Sequence, residues 1–238
     1  MSKQFKSSIV VLAFTLPCLA VTSTAAAQEP LETGPSLARR PPLRIPGIPK
    51  ETQWVNPPAA FYISGHGIKI VASAQTNKYI AADMSMVSDN ANRLVFDADP
   101  DFILSTQIAH PFAKMWDAGC LILEGDAENW IKFCFEGDYT GAKRIVSVVT
   151  QGTSDDCNSI ALDKNAAFLE MAKIGDVVFL YSSETGRDWY MVRVLKFKFE
   201  GKLRLGFLAQ TPEGDSNPVH FNHIKYTPTA MRDYWKGE

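Results

Sequence analysis

The chain lacks an apolar run of bilayer length, an excess of basic residues, closely paired cysteines and a glycine-rich phosphate loop. Each absence removes a class of function. A helix needs about 20 apolar residues to cross a bilayer. The longest apolar stretch here, residues 9–16 and 19–21, is shorter and broken by Pro17, so no membrane span is expected. Lys and Arg number 24 against 26 Asp and Glu, and no stripe gathers the cations. A surface that neutralises phosphates needs such a stripe, so nucleic acid is excluded as a partner. Four cysteines at positions 18, 120, 134 and 157 do not fall in the close pairs of zinc sites. His66, His110, His220 and His223 are scattered without metal-ligand spacing. No Gly-rich turn follows a strand and opens a helix, which removes the common nucleotide folds.

What is present begins with a targeting signal. Lys3 and Lys6 form a basic start, an apolar core follows, and Ala25, Ala26 and Ala27 supply small residues where a signal peptidase reads. Residues 1–27 are expected to be a signal peptide cleaved before Gln28, giving a periplasmic or extracellular protein. The remainder carries 22 basic and 26 acidic residues, net −4. Residues 28–50 hold six prolines and few large apolar side chains, so they read as a stiff linker or an arm lying over the domain. Residues 51–226 form the domain proper, with residues 227–238 as a peripheral tail whose Tyr234 and Trp235 are placed to dock on it.

Within the domain, short apolar or alternating runs are separated by turn residues. That rhythm belongs to an antiparallel sandwich or barrel. Residues 165–174 are the one helix candidate, though Gly175-Asp176 fits a hairpin turn equally well. The clearest hairpin joins CLILE (120–124) to WIKFCFE (130–136). Centred on Ala127, it sets Glu124 opposite Trp130, Ile122 opposite Lys132 and Cys120 opposite Cys134. Ile131, Phe133 and Phe135 then share one face, and Trp130, Lys132, Cys134 and Glu136 the other. In the next strand, Val146 and Val148 are assigned to the apolar face and Ser147 to the mixed one. The apolar face belongs between two sheets and the mixed face outside. An oxidising compartment would permit a disulfide between Cys120 and Cys134, leaving Cys157 free.

The runs DAGCLILEGDAENWIKFCFE (117–136), RIVSVVTQGTSDDCNS (144–159), DWYMVR (188–193) and GFLAQTPEGD (206–215) occur in one order. Together they resemble a bacterial and fungal domain-of-unknown-function family grouped with the concanavalin A-like lectins and glucanases, whose fungal branch carries a "regulation of enolase" label. The resemblance covers most of residues 54–226 and implies an all-β, two-sheet antiparallel jelly-roll sandwich. It supplies no catalytic residue. The chain departs from the family's pattern at Asn77, where aspartate is usual.

The residues able to carry chemistry also have blander roles open to them. Glu124, Asp126 and Glu128 have the spacing of glucanase carboxylates, but the hairpin register puts them in a turn, splayed into solvent. Asp155, Asp156 and Asn158 sit in an oxygen-rich run, SDDCNS, which either caps local amides or contacts a ligand. Calcium is the cation such oxygens suit, and no other cofactor is called for. Trp130, beside Lys132 and Glu136, is the tryptophan placed to stack on a sugar, whose C–H faces suit an exposed ring. The leading reading is therefore a non-catalytic module with a glycan or polysaccharide partner, its ligand-binding residues being Trp130, Lys132, Glu136, Asp155, Asp156 and Asn158. Two alternatives stay open. One is a glycoside hydrolase or polysaccharide lyase using Glu136 with Asp155 or Asp156. The other is a protein-interaction domain.

Overall fold

A computed structural model describes residues 42–238, and the proposed signal peptide and its cleavage point lie outside them. In chain order the strands are β1 (Gln53–Val55), β2 (Ala60–Ser64), β3 (Gly67–Ser73), β4 (Lys78–Ile80), β5 (Val87–Asp89), β6 (Asn92–Asp97), β7 (Phe102–Ala109) and β8 (Ala118–Glu124). Then come β9 (Asn129–Gly137), β10 (Lys143–Gln151), β11 (Thr153–Ala161), β12 (Ala166–Ile174), β13 (Val177–Ser183), β14 (Tyr190–Lys196), β15 (Arg204–Gln210) and β16 (Ser216–Thr227). One seven-stranded sheet runs β1-β6-β15-β8-β9-β10-β11, the other β14-β13-β12-β7-β16-β3-β2, and β4-β5 pair separately. The paired strands are antiparallel.

Alternation places the core between the sheets. Leu121, Leu123, Ile131, Phe133, Phe135 and Phe207 of the first sheet meet Ile68, Leu104, Ile108, Leu169, Leu180 and Phe221 of the second, all buried. Close approach is enforced at Gly119, where a Cβ would lie 2.4 Å from Val219 and 2.5 Å from Ile108. Residues 166–174 form a strand, not a helix. Their alternation decides it: Ala167, Leu169 and Met171 enter the core, while Glu170 points to the other face beside Ala172.

Two expectations, about the faces of β10 and about the cysteines, are corrected. Arg144 pairs with Glu136 and Val146 with Cys134, so Val146 and Val148 lie outward and Ser147 inward. The outward face is itself apolar, because Ala118, Cys120, Ile122, Trp130, Val146, Val148 and Leu208 form a second cluster there under Tyr79 of β4. The end of the proline-rich segment also packs: Leu43 pairs with Thr52, and Ile45 and Ile48 are buried in the core. Gly47 makes this turn, its φ positive and its absent Cβ leaving room for the Ile224 carbonyl. Finally, Cys120 and Cys134 face each other in the expected register but are free thiols. Cβ atoms directly opposite on neighbouring strands sit ~4.5–5.5 Å apart, whereas a disulfide wants about 3.8 Å. A hydrogen bond joins the two thiols instead, and burial pushes the Cys134 thiol well above its usual range.

Candidate functional site

The β4-β5 hairpin lies across the outward face of the first sheet and divides it. One half is sealed. Lys78 and Arg93 share Asp89 at 2.8 Å each, while Glu124 receives Arg93 at 3.1 Å and Arg204 at 2.7 Å. Glu124 is thus buried at the end of β8 and not splayed into solvent. The turn beyond it is built by Asp126, whose carboxylate accepts the Glu128 and Asn129 amides at 2.9 and 2.8 Å. Trp130 is sealed with them. It is 0% exposed, its ring lies 4.9 Å from the Lys78 ammonium, and its Nε1 donates to the Ala127 carbonyl. Its face was expected correctly, but the covering hairpin makes it a wall of a core instead of a sugar platform.

The other half is open, a cleft of about 560 Å³. Its floor is Lys132 and Glu136 of β9, Val146 and Val148 of β10, and Asp156 and Asn158 of β11. Its walls include Tyr79, Trp116 and Tyr139, with Gln210 and Glu213 at one end. Lys132, Glu136, Asp156 and Asn158 therefore converge as the sequence led us to expect. Asp155 does not. Strand alternation turns it to the opposite side, where it pairs with Arg193 at 3.0 Å. Because Asp155 and Asp156 diverge, the oxygen-rich run does not gather around one cation. No group of three His, Cys, Asp or Glu side chains suited to a metal occurs among the described residues.

The polar floor is braced by hydrogen bonds. The Lys132 ammonium donates to the Lys78 carbonyl at 2.9 Å and to Gln210 Oε1 at 3.0 Å. Gln210 Nε2 in turn donates to the Trp116 carbonyl at 3.2 Å. Trp116 sits at a positive φ of 66°, held by the hydrogen bond its backbone N–H donates to the Gly137 carbonyl. The next residue, Asp117, accepts the Ala113 and Lys114 amides and the Thr211 hydroxyl. Such a backbone conformation in a bulky residue is costly and persists where surrounding bonds fix it. Tyr139 is 67% exposed, on a loop tied by Asp138 to Thr140, Ala142 and Arg144. Burial would raise the Asp138 carboxyl, but those bonds hold it at about 2.

Glu136 is the unusual member. It is 6% exposed, and among the described residues nothing hydrogen-bonds its carboxyl. Burial pushes its pKa up to about 7; Lys132 opposes the rise, and Asp156 and Asp138 add to it. Tyr79 is pushed up to about 12, first by burial and then by donating its hydroxyl to Asp156. Sequence reasoning missed Tyr79, Tyr139, Gln210 and Glu213, which come from loops and strands far apart in the chain. Trp116, one of five tryptophans able to stack on a sugar, was passed over in favour of Trp130.

Two layers of antiparallel strands with an open outward cleft define a sandwich of the concanavalin A-like lectin and glucanase type. Within it, the chain belongs to the family described as "Protein of unknown function (DUF1349)", whose model matches residues 54–229. No curated protein matches the sequence. A functionally unknown protein from Saccharomyces cerevisiae superposes with a TM-score of 0.70 at 19% identity, over 74% of this chain and 95% of that one. A xylan β-1,4-xylosidase from Bacillus halodurans gives 0.54 at 15% identity, over 68% of this chain but 32% of the enzyme. At these identities the likeness is one of fold. No helix among the described residues is long and apolar enough to cross a membrane.

Proposed function

We propose that this protein is an exported glycan-binding module and that its ligand lies in the cleft on the outward face of the first sheet. The observation that carries the reading is the ring of Tyr79, Trp116 and Tyr139 around a floor of Lys132, Glu136, Asp156 and Asn158. Aromatic rings take the C–H faces of a sugar, and amides, carboxylates and an ammonium take its hydroxyls. A glycan array followed by calorimetry tests it. Trp116→Ala and Tyr139→Ala should each weaken binding by roughly 1–3 kcal/mol. Full affinity in both variants would place the ligand elsewhere.

One observation favours a second reading, hydrolysis. A buried carboxyl raised to about 7, with Asp156 close enough to raise it further, has the makings of a general acid and its partner. Under that reading Glu136→Gln keeps affinity and loses about 100-fold or more in turnover. Under the binding reading the wild type releases no reducing ends.

A further inference from the structure

The charges lining the cleft are unbalanced. Lys132 is the one cation against Glu136, Asp156 and Glu213. Lys132 is buried, and two of its donors are already committed to the Lys78 carbonyl and Gln210. Among the described residues Glu213 has no ion-pair partner, and Asp156 accepts only the Tyr79 hydroxyl. Glu136 is the deepest acid, nine-tenths buried, open only to the cleft and without a hydrogen-bond donor. A buried carboxylate left in that state is unfavourable, and a ligand that supplies a donor removes the penalty. A charged donor does more than a neutral one, since its bond is shorter and about twice as strong. The rings around it, negative on their faces, also attract a cation.

Accepting the glycan-binding reading, we propose that the preferred ligand is a glycan bearing a free, protonated amino group, with its ammonium seated on Glu136 between Tyr79, Trp116 and Tyr139. Glu213 and Asp156 extend the same preference to a neighbouring amino sugar along a chain. Glycans rich in uronic acid are repelled by the same three carboxylates. The volume of about 560 Å³ is that of a small-molecule site, with room for more than a single ion.

The test compares three probes on the whole mature protein by calorimetry: a glucosamine oligosaccharide, its fully N-acetylated counterpart and a galacturonic acid oligosaccharide. N-acetylation keeps the rings and removes the charge. The free amine should bind about tenfold tighter than the acetylated form, and the advantage should shrink at high salt. The galacturonic acid probe should not bind. Glu136→Gln should abolish the preference for the amine while sparing the acetylated probe. Glu213→Gln, at an exposed position that folding does not need, should reduce the preference by about two- to fivefold. Equal or tighter binding of the acetylated or the acidic probe overturns the inference and leaves the glycan reading standing. An array on which no glycan of any class binds overturns both.

Discussion

Trp130 and Trp116 sit on the same face of the first sheet and are expected to fail differently when truncated. Trp130→Ala opens a cavity between β9 and the β4-β5 hairpin and should cost about 3–5 kcal/mol of stability, read from urea denaturation. Trp116→Ala should change the melting curve little and affinity much. Their difference was not legible in the sequence, because alternation gives a residue's face and says nothing about what lies over it. The same blindness misassigned Val146 and Val148. Once Glu136 is paired with Arg144, parity places them beside Cys134 and Lys132; their apolar character reports the covering hairpin, not the inner core. Two buried carboxyls make stability depend on pH. Burial raises Glu136 to about 7 and Glu170 to about 8. A carboxyl raised on folding binds its proton more tightly in the folded state, so its contribution is full below the unfolded value of about 4.3 and is lost as pH rises. Unfolding free energy should therefore fall between about pH 4.3 and 8, and the pair Glu136→Gln and Glu170→Gln should flatten that slope.

Among the elements, the β4-β5 hairpin has the largest effect for its size. Six residues of strand close the Trp130 half of the sheet and supply Tyr79 to the open half. Their hold depends on Glu124 and Asp89, which neutralise Lys78, Arg93 and Arg204. Glu124→Ala strands buried cations and should cost about 3–5 kcal/mol. Hydrogen exchange should locate the loss in residues 78–89. A variant as stable as the wild type would show that the network is not what fixes the hairpin. The central hairpin β8-β9 was legible down to its register, since a short turn between two strongly patterned arms leaves few choices. The β4-β5 hairpin was not, because three-residue strands separated by a methionine- and serine-containing loop carry no period to read.

For the molecule as a whole, the two-sheet antiparallel sandwich followed from the rhythm of short strands together with the resemblance, while the cleft did not. Its lining comes from separate segments between Asn77 and Glu213 that meet only after folding. Each sheet is covered over part of its outward side, the first by the β4-β5 hairpin and the second by the tail. Met231 is buried against Tyr181 and Phe179, and the Tyr181 hydroxyl donates to the Tyr234 carbonyl at 2.6 Å. Gly237 lies against Trp189 and Glu170. Ending the chain after Thr227 should therefore cost about 2–5 kcal/mol and expose apolar surface that binds a hydrophobic dye.

The position of β16 has a consequence in time. It is the last strand made, yet it lies inside the second sheet between β7 and β3, and Ile224 on it closes over Gly47 near the domain's start. Until β16 is made, the β14-β13-β12-β7 and β3-β2 parts of that sheet have no strand to join them, and the face that the first sheet packs against is incomplete. The complete sandwich is therefore expected to form only once residue 227 has been made. Its folding is governed by distant pairings, with refolding expected on the slow, millisecond-to-second scale of such topologies. A sandwich that closes this late would keep the growing chain threadable through a narrow channel.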